Sequence, residues 1–473
     1  MPRPPNLSMR VAIPKELIAP LIVAFAMFME SMDANVIATS LPAMARDFGR
    51  DPVVIQIGVI SYVVGLGIFI PICGWVADRF GARPVFQGAI GVFVAGSLLC
   101  AASLSLEMFT VARFVQGIGG AMMVPVGRII IFRALPRSDF VRAMNYLSIP
   151  ALLGPAAGPV LGGFITTYLH WRLIFVINVP FGVLGIWLAH RFIANSREPH
   201  PGRLDWLGFV LSAGGGASCL LGLSLLGGEI ISRRSALITS VCGAVLIGLY
   251  VLYAKRAARP LLELRFLRIP TFRTSVAGGS LFRIGLGALP FLLPLTLQEG
   301  LGMSAFRSGL ITCGSAFGSL FVKWLAPGVL RRFGFRSVLA YNAAFSALAI
   351  AVCGFFIPGT PTWLIWAVVL FSGFFPSLQF TALNALAYSD IDSPDIGRAT
   401  SLASVVQQLS LGLGVAVGGL VVQLTHHFAG RDAFQWTDFT PAFVIIGLFS
   451  LGSIPVTRRM SADAGAEIAR GRR

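Results

Sequence analysis

The sequence predicts an all-α integral membrane protein of fourteen spanning helices, arranged as two parallel six-helix repeats with two further helices inserted between them. Three observations predict it. Of the 473 residues, 56% are apolar and only 12% are charged, about half the charged share of a soluble domain. The apolar residues gather into runs of about 20, the length that crosses a bilayer. A short basic motif also recurs at a fixed interval in the two halves of the chain.

The runs give spans at 17–43, 55–77, 84–104, 106–132, 141–166, 171–193, 204–226, 236–256, 271–297, 304–326, 337–357, 361–388, 397–425 and 438–457. The first follows a basic N-terminus. It is too long for the apolar region of a cleaved signal peptide, and it carries Glu30 and Asp33. The Gly-rich run at 204–226 has the least defined edges. With both termini cytoplasmic, 26 Lys and Arg residues fall on the inside and 7 on the outside, the bias that insertion imposes. The net charge of +17 is therefore topology and not nucleic-acid binding. The expected setting is an inner or plasma membrane, with the bilayer as partner and a monomeric chain.

Residues 74–84 read GWVADRFGARP and residues 327–337 read PGVLRRFGFRS. The shared Arg-Phe-Gly-x-Arg recurs 253 residues on; Arg142-Ala143 and Gly162-Gly163 recur at Arg398-Ala399 and Gly418-Gly419, 256 residues on. The expected organisation is residues 1–200 as an N-terminal six-helix bundle, 201–258 as two inserted helices and 259–473 as a C-terminal six-helix bundle. Parallel repeats of this kind occur in secondary transporters. Asp78 stands where the second half has Arg331, and is expected to bond helix N-terminal N–H groups or arginines of the other half.

Ionisable groups within spans are costly and mark function. Glu30 and Asp33 are three residues apart and share a helical face. Two carboxylates in a low-dielectric cavity disfavour double ionisation, which suits proton carriage. Arg113, about seven residues and roughly 10 Å into the fourth span, is the natural partner of Asp33. Arg283 lies near the middle of the ninth span, while Arg128 and Lys323 lie near span ends, where long side chains snorkel. Tyr62, Gln116, Gln379, Asn384 and Gln408 are polar positions that either line a cavity or bond helix to helix. Gly154, Gly158 and Gly162 form a smooth stripe, with Pro155 and Pro159 bending the same helix.

The six cysteines, Cys73, Cys100, Cys219, Cys242, Cys313 and Cys353, all lie in apolar runs without CxxC spacing and read as buried free thiols. The five histidines sit at span ends or in loops. There is no nucleotide-binding GxxxxGK[ST] segment. No cofactor, metal or enzymatic activity is expected.

With these motifs in order, the chain resembles the major facilitator superfamily, and within it the fourteen-helix drug:proton antiporters. GWVADRFGARPVF at 74–86 is similar to the family's cytoplasmic-loop motif, with Gly74, Asp78, Arg79, Gly81 and Arg83 in place. RFVQGIGGAMMVP at 113–125 resembles the fourth-helix motif, with Arg113, Gln116, Gly117, Gly120 and Pro125. ALLGPAAGPVLGG at 151–163 resembles the fifth-helix antiporter motif, with Gly154, Pro155, Gly158, Pro159, Gly162 and Gly163. WRLIFVINVPFG at 171–182 matches the entry to the sixth helix. MDANVIATSLPAMA at 32–45 resembles the first-helix pattern, with departures at Met32, Asn35 and Val36. Glu30 is outside that pattern.

The resemblance implies export of small amphipathic or lipophilic molecules in exchange for protons by alternating access, and hence drug resistance. It assigns proton coupling to Asp33 and Arg113, and the cytoplasmic gate to Asp78, Arg79 and Arg83. Glu30 joins the coupling group by its depth alone. Tyr62, Arg283, Gln379, Asn384 and Gln408 remain candidates for the substrate cavity. A dedicated single-metabolite transporter and a non-transporting membrane sensor or partner subunit are the alternative readings.

Overall fold

The computed structural model describes residues 15–134, 140–197, 202–226, 230–258, 260–391, 395–431 and 433–461, and leaves out the side chains of 15–17, 132, 134 and 140–152. The terminal segments, whose sidedness the charge pattern predicts, and the Arg142 side chain lie outside the described residues. Every regular element described is helical. In chain order these are α1 (Lys15–Val36), α2 (Leu41–Phe48), α3 (Gln56–Phe69), α4 (Cys73–Phe80), α5 (Ala82–Ala101), α6 (Leu106–Ala134), α7 (Phe140–Tyr168), α8 (Leu173–Val176), α9 (Asn178–Phe192), α10 (Trp206–Ser224), α11 (Arg233–Ala254), α12 (Pro270–Leu295), α13 (Ala305–Cys353), α14 (Thr362–Ala387), α15 (Ile396–Ala429) and α16 (Trp436–Arg458). Twelve helices among the described residues are long and apolar enough to cross a bilayer, α13 counted once.

Several helices depart from the runs read in the sequence. The first run ends in a 3-10 turn, Ile37–Thr39, and continues as the separate α2. The second breaks at Ile70–Ile72, where Pro71 cannot donate its backbone bond, and resumes as α4. The tenth and eleventh runs are joined in the 49-residue α13, whose Gly334 has non-helical φ 72° and ψ 160°. Unbroken, 49 residues would reach about 73 Å at 1.5 Å each, more than twice a bilayer core. The first-half counterpart of Gly334 is Gly81, 253 residues earlier, with φ 97°. Both corners of the repeated motif need the backbone freedom of glycine.

The two ends of the chain pack alike. α1 lies on α7 and α12 lies on α15. A Cβ at Gly158 would stand 3.0 Å from the Met32 carbonyl and 3.1 Å from the Val36 nitrogen. A Cβ at Gly414, 256 residues later, would meet the Ile284 carbonyl and the Ala288 nitrogen, each 252 residues after its counterpart. Gly158→Val is therefore expected to destabilise the protein by about 1–3 kcal/mol through overpacking. Gly88→Ala, where a Cβ meets nothing within 4 Å, should stabilise slightly through helix propensity. Thermal unfolding of the purified variants checks both.

The N-terminal and C-terminal helices meet at one end of the bundle, around Ile37–Val54 and Leu289–Leu297, in the largest apolar cluster. There Gln298 Nε2 donates to the Thr39 carbonyl at 3.0 Å and the Phe306 N–H donates to Thr167 Oγ1 at 3.0 Å. α7 also packs on α13, so closely that Gly309 lies against the Pro159 carbonyl and Gly163 against the Ala305 carbonyl. α10 packs on both α3 and α15. α11 packs chiefly on α10, which leaves Cys242 exposed and Cys219 half-buried; the other four thiols are buried and all six are free. The apolar context of Cys242 reports lipid, not core.

Candidate functional site

α1 brings Asp33 to the centre of a polar cluster that four helices build. Asp33 and Arg113 are 0% and 1% exposed and form an ion pair, Nη1 to Oδ2, at 2.8 Å. An uncompensated charge here would be very costly, so every neighbour is a donor or a bridge. Gln116 Nε2 donates to Asp33 Oδ1 at 2.9 Å and to Ser97 Oγ at 2.8 Å, and its Oε1 accepts from Arg113 Nη1 at 2.6 Å. Asn178 Nδ2 adds a bond to Asp33 Oδ1 at 2.6 Å and one to Ser97 at 3.2 Å. The cluster therefore ties α1 to α6, α5 and α9. The ion pair follows from the depths of the two charges in their spans. Ser97 and Asn178 do not, because neutral polar residues in apolar runs carry no positional signal of their own.

Glu30, one turn before Asp33, is half-buried and differently held. Tyr62 Oη donates to its Oε1 at 2.9 Å, and no cation among the described residues lies within ion-pair distance of it. The Arg113 guanidinium sits 4.4 Å from the Tyr62 ring centroid, so the partners of the two carboxylates are in direct contact. The fourth-helix glycines explain themselves here. A Cβ at Gly120 would stand 2.8 Å from Tyr62 Oη, and one at Gly117 would strike the Tyr62 carbonyl. Gly65 lies against Gly117 in turn, so α3 and α6 approach closely enough to aim Tyr62 at Glu30. Pro125 lies further along α6 and is half-buried.

At the opposite end from the α7–α13 contact, Asp78 Oδ1 pairs with Arg133 Nη2 at 2.6 Å, and Arg133 also donates to the Ser196 carbonyl at 3.2 Å. The expected partner was an arginine or helix end of the other half. Arg133 belongs to the same half: it is carried by α6, which packs on the α4 that bears Asp78. Arg83 donates to the Ile193 carbonyl at 3.4 Å; Arg79 is exposed. Gly74 has open space beside it, whereas Gly81 faces the Asn195 side chain. The second half uses other residues at this level: Glu263 pairs with Arg265 and with Arg398, and Arg265 with Asp395.

The fifth-helix motif becomes the seam of α7. Gly154 and Gly158 face Ser31, Met32 and Asn35, Gly162 faces Val36 and Thr39, and Gly163 crosses to α13. Pro155 and Pro159 lie in the same α7 stretch, Pro159 against α13. Of the other cavity candidates, Gln379 is fully buried, donates to the Leu339 carbonyl at 3.0 Å and accepts from Asn342, so it serves helix–helix contact. Arg283 is 3% exposed. Asn384 and Gln408 are half-buried. Lys323 Nζ donates to Thr381 at 2.9 Å, and Arg128 is exposed. Among the described residues no His, Cys, Asp and Glu gather as metal ligands.

A family model of the Major Facilitator Superfamily matches residues 23–254 and 275–467. The "Putative multidrug resistance protein MdtD" of Pectobacterium atrosepticum is 38% identical over 438 residues, 91% of this chain and 93% of that protein. The "Probable transport protein HsrA" of Haemophilus influenzae is 35% identical over 433 residues, 90% of this chain and 93% of its own. Among solved structures, an auto-inhibited POT family peptide transporter superposes with TM-score 0.68 at 18% identity, covering 95% of this chain and 98% of that one. A D-xylose-proton symporter gives TM-score 0.66 at 15% identity, covering 95% and 100%. These structures share the fold. The chain is a multi-pass membrane transporter and not an enzyme, and it belongs to the Major Facilitator Superfamily.

Proposed function

We propose that this chain is a proton-coupled exporter of small amphipathic compounds that works by alternating access. The observation that carries the reading is the pair of carboxylates on one face of α1, Asp33 held in a buried ion pair and Glu30 held only by a neutral hydroxyl. A transporter without ion coupling has no use for such costly groups at this depth. The names of the MdtD relatives support drug-like substrates. The sequence runs, the broken α13 and α7 support fourteen crossings in two six-helix bundles, 1–200 and 259–473, with 201–258 inserted. The matched packing of Gly158 and Gly414 supports the parallel repeat. The contacts of Gln298 and Phe306 support a conformation closed at the outer face, with Asp78 turned to Arg133 in its own half at the cytoplasmic face. Both termini are placed in the cytoplasm, and the chain acts as a monomer.

Proteoliposomes of the purified chain test the reading. On adding lipophilic compounds to vesicles bearing a proton gradient, wild type should release protons across the membrane in step with substrate movement. Substrate movement that ignores both the gradient and an uncoupler would overturn it.

A further inference from the structure

Arg283 is the one buried guanidinium of the α12–α16 half among the described residues, and nothing balances it. A guanidinium has five donors. Here Nη1 reaches the Ser275 carbonyl at 3.3 Å, Nε is buried without a partner, and the group lies 5.8 Å from the Phe380 ring centroid. Room has been left for it, since a Cβ at Gly279 would stand 2.5 Å from Nη1. Arg113 also leaves its Nε without a partner, yet it has a carboxylate, an amide and two aromatic rings, and the carboxylate is what Arg283 lacks.

A second cation converges on the same place from the other side. Phe380 and Thr381 are neighbours on α14; Arg283 of α12 lies over the first, and Lys323 of α13 donates to the second at 2.9 Å. Ser377, Thr381, Asn384 and Tyr388 follow at helical spacing, and all are half-buried while the flanking Leu378, Ala382 and Leu383 are buried. They form a polar stripe that is partly open, with a cation on each side. No carboxylate among the described residues lies within 4 Å of either cation. Two unpaired cations in a bilayer-spanning wall are a standing cost, and planar guanidinium is the side chain best matched to a carboxylate or phosphate.

We infer that Arg283 and Lys323 bind the anionic group of the substrate on the α14 stripe, so that the transported compounds are amphipathic acids with an apolar body and one carboxylate, sulfonate or phosphate. This rests on the exporter reading and narrows its substrate class.

Calorimetric binding in nanodiscs of zwitterionic phosphatidylcholine tests this without any proton gradient. The probes are a panel of aryl and alkyl carboxylates, sulfonates and monophosphates, 1-naphthaleneacetate among them, each paired with its neutral amide, sulfonamide or alcohol. Acids should bind more tightly than their neutral partners. Arg283→Gln and Lys323→Gln should each weaken acid binding about tenfold, the worth of one charged hydrogen bond, and leave neutral binding unchanged. Arg283→Lys should recover most of the loss, which separates charge from misfolding. Equal binding of acids and neutral partners across the panel would overturn the inference, as would acid binding that both Gln variants retain. Tight Arg283-dependent retention of phosphatidylglycerol with no acid bound would overturn it in favour of a lipid site. Acid binding without proton-linked transport in vesicles would sink the exporter reading and leave the site standing.

Discussion

Arg113→Met should be the most damaging single change in this protein. It leaves the Asp33 carboxylate buried with only Gln116 and Asn178 to stabilise it, both already shared with Ser97. Removing one partner of a buried ion pair costs about 3–5 kcal/mol, mostly as the penalty of the charge left behind. The same change strips the cation from the Tyr62 ring and leaves Gln116 Oε1 with only the weak Cys100 thiol donor. The expected result is a large fall in thermal midpoint and in the yield of folded protein by detergent size exclusion, with transport lost. The double variant Asp33→Asn with Arg113→Met removes both charges. It should regain much of the stability, because no buried ion remains, yet none of the transport. A single Arg113→Met variant as stable as wild type would mean that the pair is solvated in the working protein and that its burial is not structural.

How far these features could be read from the sequence depends on what each residue signals locally. Apolar runs of the right length located helices long and apolar enough to cross a bilayer, because a spanning segment must satisfy its own backbone bonds in an apolar medium. The break between the tenth and eleventh runs, at 327–336, contains the joint at Gly334; that helix continues to either side was not legible, since a chain can turn a corner with one residue of positive φ and lose no helical character around it. Asp33 and Arg113 were paired from depth, a legitimate inference because two opposite charges at one level of a membrane have few other partners. Asn178 and Ser97 were not found. Their contribution is directional, and direction is set by how α5 and α9 pack on α1. Asp78 shows the converse. Its motif was plain, but its partner depends on which conformation the halves adopt, and Arg133 became the partner only through geometry. The α7 glycines read as a stripe and those of α6 as a motif; that Gly120 makes space for Tyr62 is set by how α3 packs on α6.

The environments of the two α1 carboxylates separate their roles. Asp33 accepts from Arg113, Gln116 and Asn178, donors that cannot turn into acceptors without breaking the ties between four helices. Protonating it would disrupt the cluster, so a proton cycling on Asp33 would have to be accompanied by a rearrangement of Arg113. Glu30 accepts from one hydroxyl and is half-buried. Tyr62 can donate to either form or rotate to accept from the acid, so Glu30 can gain and lose a proton with the helices in place. Glu30→Gln should therefore keep the fold, the Tyr62 bond and substrate binding, while substrate-driven proton flux in proteoliposomes falls about a hundredfold or more, the lower end of what a positioned proton-transfer group contributes. Tyr62→Phe removes one neutral hydrogen bond, worth about 1 kcal/mol, and should slow coupled flux only a few-fold. Asp33→Asn should also lose flux, but together with stability, and this combination tells a structural carboxylate from a carrier. If Glu30→Gln transports protons as wild type does while Asp33→Asn is folded and silent, the carrier is Asp33, and Arg113 must release it in every cycle.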